Sequence, residues 1–394
     1  MNLLYISMFL FHKDGNLTYA LPSCSDSFFR KYLDVFDSVK VLGAPMESYL
    51  DKSALVQMQD KRISVEILAP NTRPKDFIND SKVRQALEKE IKKAEAILIK
   101  PASRRGIMAI KIAKKYNKPY MIEMTGDIHN ALKQHPNFFK RMYAPFLYKK
   151  ILNSIKDCKY GLYVSQEYLQ HEFPIEGKMC GCSDVVLEKA DEVVLEKRLK
   201  KIDSYSCNAE IKLALIGFYQ GKMKGVDTAI RALAHLSDRF QLYILGVGTE
   251  ENRKNWYEYA KVWGVSEKRI HFATPLPSSI EVLHWLDSVD AFVFPTRSEG
   301  FGRCVAEAMS RGCPCFATNI CTMPELLSKE TLFDMGDDKK LAELLIEYFS
   351  NKESLKKLAK RNFEKCNEYD FDVLKLRRNK FLEEFRRYAE CVLK

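Results

Sequence analysis

No apolar run in this chain reaches the roughly 18 residues that a membrane-spanning helix requires, and the apolar stretch Leu3 to Phe11 is not preceded by the positive charges of a secretion signal. That stretch is expected to be a first buried strand instead. Short-period repeats and low-complexity tracts are also missing. The eleven cysteines are odd in number and scattered through strand-like and helix-like segments, which is not a disulfide framework and points to a reduced, cytoplasmic chain. Cys180/Cys182 and Cys313/Cys315 leave one residue between partners, whereas zinc knuckles use about two to four and need a second pair, so no metal is expected there. No Gly-x-Gly-x-x-Gly follows the first apolar run, which sets aside a dinucleotide-dependent dehydrogenase.

A length of 394 residues exceeds what one compact core serves, and 46% apolar residues suffice to fill two. The formal net charge of +11 is concentrated between residues 101 and 160, where 13 basic side chains meet 3 acidic ones. Such a patch attracts nucleic acid, anionic lipid or a phosphorylated acceptor, and a merely solvated basic face is the alternative. Lys140, Arg141, Lys149 and Lys150 share an expected helix of about 19 residues with Phe138, Phe139, Tyr143, Phe146, Leu147 and Tyr148, a composition suited to an anionic membrane surface.

Short β-rich runs alternate with segments of helical period, the pattern of parallel sheets with crossover helices. Strands are expected at Asn2 to Phe11, Val39 to Leu42, Val65 to Leu68, Ala96 to Lys100, Pro119 to Met124 and Tyr160 to Ser165. A second series is expected at Ile211 to Gly217, Gln241 to Gly246, Arg269 to Thr274, Ala291 to Pro295, Pro314 to Thr318 and Thr331 to Met335. The charge-dense stretch Leu187 to Ser206 separates them and is taken as the connection between domains. After Asp370, apolar residues recur at helical intervals among arginines, an amphipathic helix expected to pack back on the protein.

The richest segment is Phe294-Pro-Thr-Arg-Ser-Glu-Gly-Phe-Gly-Arg-Cys-Val-Ala-Glu-Ala-Met-Ser-Arg-Gly-Cys-Pro. A strand ends, a glycine-bearing turn follows and a helix starts near Arg303, so the amides of Gly300, Phe301 and Gly302 are expected to converge at a helix N-terminus, where an anion or a sugar oxygen binds. Glu299 and Glu307 bracket this turn, with Glu307 about 6 Å along the helix, roughly the span of a diphosphate. Each carboxylate can accept two hydrogen bonds from a vicinal diol, a ribose or a hexose.

Glu-x7-Glu with Glu-Gly-Phe-Gly, followed by Glu-Ala-Met-Ser-x-Gly-x-Pro, resembles the signature of retaining GT-B glycosyltransferases of family 4, the glycosyl transferases group 1. The resemblance implies two Rossmann-like domains facing across a cleft: residues 1–205 for the acceptor, 206–370 for the nucleotide sugar, and a C-terminal helix, 371–394, crossing back to the N-terminal domain. It implies that Glu299 and the amides of Phe301 and Gly302 hold the donor sugar, and that Glu307 holds the nucleotide ribose. Leu215-Ile-Gly-Phe-Tyr-Gln-Gly-Lys-Met-Lys-Gly resembles the family's loop ending in Lys-Gly, which makes Lys224 the cation that meets the leaving diphosphate. Family members commonly carry an arginine directly after Gly217. Here Phe218 stands in that place, and Lys222 is the candidate second cation.

In the first domain, Gly15 follows the first strand where the family lets the diphosphate and acceptor approach, and Asp127 or His129 follows Pro119 to Met124 where relatives place a residue facing the reacting carbon. The Ser25 to Asp37 segment resembles the first helix of members that assemble bacterial surface polysaccharides. Between the motifs of the second half, Ala273-Thr-Pro replaces the family's usual glycine near the base, so the donor is left as UDP or GDP type. Asp370-Phe-Asp372 spells the motif of metal-dependent transferases but opens the terminal helix, where aspartates serve as caps.

The expected protein is a metal-independent, retaining hexosyltransferase of bacterial surface polysaccharide or glycoconjugate synthesis, needing no cofactor. Its acceptor is a glycan or a polyprenyl-linked saccharide, residues 101–160 touch the inner face of the membrane, and no nucleic acid is bound. A sugar-nucleotide epimerase of the same architecture and a non-catalytic subunit that binds a nucleotide sugar are the competing readings.

Overall fold

The structure, a computed structural model, describes residues 1–46, 55–71, 74–189, 191–206, 208–276 and 278–394. The chain divides into two compact units, one of Met1–His129, Met142–Cys182 and Lys375–Lys394, the other of Asn130–Arg141 and Ser183–Leu374.

The first unit is built on nine strands: β1 (Asn2–Asp14), β2 (Leu17–Ala20), β3 (Ser38–Pro45), β4 (Val56–Gln57), β5 (Ile63–Ile67), β6 (Ala96–Ile99), β7 (Tyr120–Met124), β8 (Tyr160–Tyr163) and β9 (Lys178–Gly181). Its parallel core runs β5-β3-β1-β6-β7-β8-β9. Leu3, Leu4, Tyr5 and Ile6 are all buried, because a central parallel strand is covered on both faces. Beyond Leu10, β1 continues to Asp14 and returns antiparallel as β2 through the two-residue turn Gly15-Asn16. This hairpin is absent from the sequence-based expectation, since its strands are short and half polar. Gly15 lies at its tip with φ +55°, which the tight turn requires.

The helix Arg104–Lys115 follows β6 and carries its first turn beneath the carbonyl ends of the sheet. Arg105, 1% exposed, donates to the carbonyls of Ser7 (3.3 Å), Gly43 (2.6 Å) and Ala69 (3.0 Å). Burial lowers its guanidinium to about 10, still charged at neutral pH. The terminal helix Phe371–Leu393 belongs to this unit from Lys375 onward, and the rings of Phe381, Phe385 and Tyr388 lie 5.7, 5.6 and 5.2 Å from Tyr160.

The second unit has six parallel strands: β10 (Ile211–Ile216), β11 (Phe240–Leu245), β12 (Ile270–Ala273), β13 (Ala291–Phe294), β14 (Cys315–Thr318) and β15 (Leu332–Phe333). Their order is β12-β11-β10-β13-β14-β15. Leu213, Leu215, Leu242, Ile244 and Val293 from the strands meet Val226, Ile230 and Leu233 from one helix in a common core. The order reverses between β10 and β13, so the loops after these two strands diverge to leave a crevice at their carboxyl ends, the place where open α/β sheets bind ligands. The charged stretch after Leu187 is a helix of this unit, Glu192–Asp203, with Arg198 buried against the carbonyls of Leu286 and Val289. Both units are Rossmann-like, and the chain is an α/β protein.

Arg105→Met should destabilise the first unit by about 2–4 kcal/mol, because the carbonyls of Ser7, Gly43 and Ala69 lose a buried donor. A lowered urea midpoint of the first unfolding transition would show it, and an unchanged midpoint would mean that water replaces the guanidinium.

Candidate functional site

The crevice of the second unit is framed by two loops. The first follows β10 through Gly217 and a tight turn at Lys222–Lys224, then enters the helix Val226–Ala234. Gly225 joins turn to helix at φ +73°, and a Cβ there would lie 1.8 Å from the Pro295 carbonyl oxygen, so only glycine lets the turn seat against the end of β13. The second loop follows β13 through Thr296, Arg297, Ser298 and Glu299 to Gly302, the N-cap of the helix Arg303–Ser310. Gly302 has φ +89°, and a Cβ would lie 2.5 Å from Met323 Cε.

Between these loops the Lys224 ammonium stands 2.5 Å from Glu299 Oε2. Glu299 Oε1 accepts from the Gly300 amide at 3.2 Å. The amides of Phe301 and Gly302 have no hydrogen-bond partner among the described residues. The Phe301 side chain is 5% exposed and packs 5.0 Å from the Tyr369 ring, while its carbonyl accepts from Thr322 Oγ1 at 2.7 Å. Phe301 thus presents only its backbone to the crevice. Gly217 lies against the Lys224 side chain, Lys222 is exposed with its ammonium 5.8 Å from the Tyr259 ring, and Phe218 is 62% exposed.

Glu307 occupies the fifth position of the helix, where no donor among the described residues reaches its carboxyl group. Desolvation pushes that carboxyl up to about 7, with Arg303 pulling in the opposite direction. The two glutamates therefore differ in kind. Glu299 has its counter-ion in hand, and Glu307 awaits a hydrogen-bonding partner.

Two residues that the motif reading missed hold this geometry. Asp227, 1% exposed in the first turn of Val226–Ala234, receives a bidentate pair from Arg297 at 2.8 and 2.7 Å. Arg297 also donates from its guanidinium to the Lys222 carbonyl and from its backbone amide to the Met223 carbonyl at 2.8 Å. The two loops are thereby tied together immediately beside Lys224 and Glu299. Asn130 Nδ2 in turn donates to the Arg297 carbonyl at 3.0 Å. In the sequence Asp227 has the look of a dipole-matching acid at a helix start, and no spacing rule joins it to a partner 70 positions later.

The remaining candidates lie in the first unit. Asp127, 5% exposed after β7, accepts from Tyr168 Oη at 2.6 Å. The His129 ring stacks on Tyr148 with centroids 4.2 Å apart. Gly15 is at the exposed hairpin tip described above. Among the described residues no group of three or more His, Cys, Asp or Glu has the geometry to hold a metal ion.

Comparison with known proteins follows the same lines. Residues 210–351 match the family model of glycosyl transferases group 1. Protein CapJ of Staphylococcus aureus is 26% identical over 391 residues, covering 98% of this chain and 96% of that protein. Among solved structures, the Anabaena protein HepE in complex with UDP-glucose superposes with a TM-score of 0.64 at 14% identity, covering 98% of this chain and 100% of the other. WaaG, a glycosyltransferase involved in lipopolysaccharide biosynthesis, gives a TM-score of 0.61 at 14% identity, covering 99% of each chain.

The raised Glu307 carboxyl ties stability to pH. Its folded value of about 7 exceeds the unfolded 4.5, so the folded state binds the proton more tightly, and the stability this provides is lost as pH rises through that interval. Glu307→Gln should therefore raise the thermal midpoint by about 2–4 °C near pH 8 and change it little near pH 4.5. Equal effects at both values would refute the assignment. Arg297→Ala should cost about 3 kcal/mol, because buried Asp227 keeps only the longer ion pair with Arg231 at 3.8 Å. The double variant Asp227→Ala/Arg297→Ala should be at least about 1 kcal/mol more stable than the sum of the single losses requires, as a denaturation cycle would measure.

Proposed function

We propose that this glycosyltransferase moves a sugar from a nucleoside diphosphate donor to an acceptor hydroxyl with retention at the anomeric carbon, in the synthesis of a bacterial surface polysaccharide or glycoconjugate. The observation that carries the reading is the meeting of Lys224 and Glu299 at the β10/β13 crevice, beside two amides and a Glu307 carboxyl that have no hydrogen-bond partner among the described residues. Glu307 accepts from the ribose diol, which supplies the donors its carboxylate lacks. Glu299 and the amides of Phe301 and Gly302 take the sugar hydroxyls.

On donor binding Lys224 exchanges part of its contact with Glu299 for the diphosphate, and Lys222 adds a second cation where Phe218 contributes none. As the bond from the anomeric carbon to the phosphate oxygen breaks, the negative charge grows on the diphosphate and Lys224 offsets it. The acceptor oxygen bonds to the same face of that carbon, and its proton passes to the departing phosphate oxygen. The chain's own cations supply the charge that a metal would otherwise bring, so the reaction is read as metal-independent. Asp127 or His129 stands on the acceptor side. The HepE complex with UDP-glucose supports a nucleotide-sugar donor, and WaaG's involvement in lipopolysaccharide biosynthesis supports a place in surface-glycan synthesis; the acceptor is proposed to be a glycan or a polyprenyl-linked saccharide.

No helix among the described residues is long and apolar enough to cross a membrane. Peripheral contact with the cytoplasmic face is proposed through the helix Phe138–Ile155, where Phe138, Phe139, Met142, Tyr143 and Phe146 are exposed beside Lys140, Arg141, Lys149 and Lys150. The described cysteines are all free, in keeping with a reducing compartment.

Calorimetry with free UDP and GDP tests the donor assignment: Glu307→Ala should weaken nucleotide binding, whereas Glu299→Ala should leave it near the parent value and lower turnover. Unchanged affinity in the Glu307 variant removes the ribose role. Lys224→Ala should lower turnover about a hundredfold or more, a loss of about 2–4 kcal/mol, and activity within about threefold of the parent would show Lys224 to be only a structural partner of Glu299.

A further inference from the structure

We propose that a groove on the first unit, bounded by the helices Asp80–Lys93, Arg104–Lys115 and Phe138–Ile155, binds the phosphate headgroup of an anionic phospholipid. The groove holds about 570 Å³ and is lined by Arg84, Arg104, Lys111, Lys114 and Lys150, with no carboxylate in its walls. Two of these cations are fixed from outside. Arg104 is paired with Asp80 and stacked 3.9 Å from the Phe77 ring, and Lys114 reaches Asp157 and the Ser154 carbonyl. Arg84, Lys111 and Lys150 have no ion-pair partner among the described residues. Like charges gathered around one concavity repel each other, and an anion in it relieves that repulsion.

The apolar side chains decide which anion. Ile107, Ile110 and Leu147 form a buried floor beneath the cations. At the edge, Tyr143 and Phe146 are 44% and 54% exposed with ring centroids 5.8 Å apart, and Met142, one turn before Phe146 on the same helix, is 63% exposed. The Lys150 ammonium sits 4.3 Å from the Phe146 ring, so charge and apolar surface adjoin. A soluble phosphate would use the cations and leave these side chains facing water. A lipid uses both, with phosphate among the amines and the aromatic edge at the acyl boundary.

This inference rests on the peripheral membrane contact proposed above, and the groove shares Lys150 with that helix but draws Arg84 and Lys111 from the helices Asp80–Lys93 and Arg104–Lys115, which separates the two in an experiment. The full chain is sedimented with phosphatidylglycerol vesicles and with neutral phosphatidylcholine vesicles. Arg84→Glu/Lys111→Glu should reduce binding to the anionic vesicles at least about tenfold and leave calorimetric UDP affinity unchanged, while Arg84→Lys/Lys111→Arg retains it. Full binding by the Glu variant overturns the groove and leaves the peripheral contact standing. No sedimentation of the parent with anionic vesicles overturns both. Short-chain, water-soluble phosphatidylglycerol should raise the thermal midpoint saturably in the parent and not in the Glu variant, and an equal rise with inorganic phosphate would overturn the lipid assignment.

Discussion

The buried pair between Asp227 and Arg297 is the constraint from which the crevice of the second unit follows. A parallel sheet whose strand order reverses leaves two loops diverging over its edge, and nothing in the sheet's own hydrogen bonds fixes their separation. Arg297 does so by reaching across with both ends of its guanidinium and by bonding the backbone of the Lys222–Lys224 turn. A bidentate guanidinium–carboxylate pair fixes direction as well as distance, and burial of Asp227 makes any slippage costly. Lys224 and Glu299 sit next to the two anchored loops and meet because of them.

Within that frame the two glutamates differ in kind because their surroundings differ. Glu299 lies against a cation and a backbone amide, so its charge is already compensated. Glu307 is desolvated without a donor, and its carboxyl is pushed up toward neutrality. Such a half-buried group gains more from a ligand's hydroxyls than a fully solvated carboxylate would, since part of its hydration is already lost. The same reasoning applies to the Phe301 and Gly302 amides at the helix start. The site is thus held together by one pair of opposite charges and left open by several unmet hydrogen bonds.

The first unit uses charge differently. Arg105 is spent inside, bonding the carbonyls of Ser7, Gly43 and Ala69, whereas Arg84, Lys111 and Lys150 are held outside around a common groove. Both kinds come from the same basic stretch of sequence or its neighbourhood, and composition does not distinguish them.

The alternation of apolar runs with helical segments was enough to place the parallel strands of both units except β9, because strands covered on both faces must be continuously apolar: Ala96–Ile99 and Ala291–Phe294 are examples, whereas Lys178–Gly181 is an exposed edge without that pattern. The Glu-Gly-Phe-Gly turn was legible for a related reason, since a strand, glycines and a helix start in succession dictate where unpaired amides point. The β1–β2 hairpin was not legible, as its pairing depends on strand twist and on an extension of β1 that carries no strong pattern. Nor could periodicity tell that Phe301 is core while Phe218 is exposed, or that Asp127 is committed to Tyr168. Local chemistry, meaning which segments are buried and which turn offers amides and carboxylates, is written in the order of residues. The Asp227–Arg297 tie, the isolation of Glu307 and the gathering of five cations around one groove were decided only by tertiary structure, because each depends on the distance between side chains on different elements, a quantity the sequence does not carry.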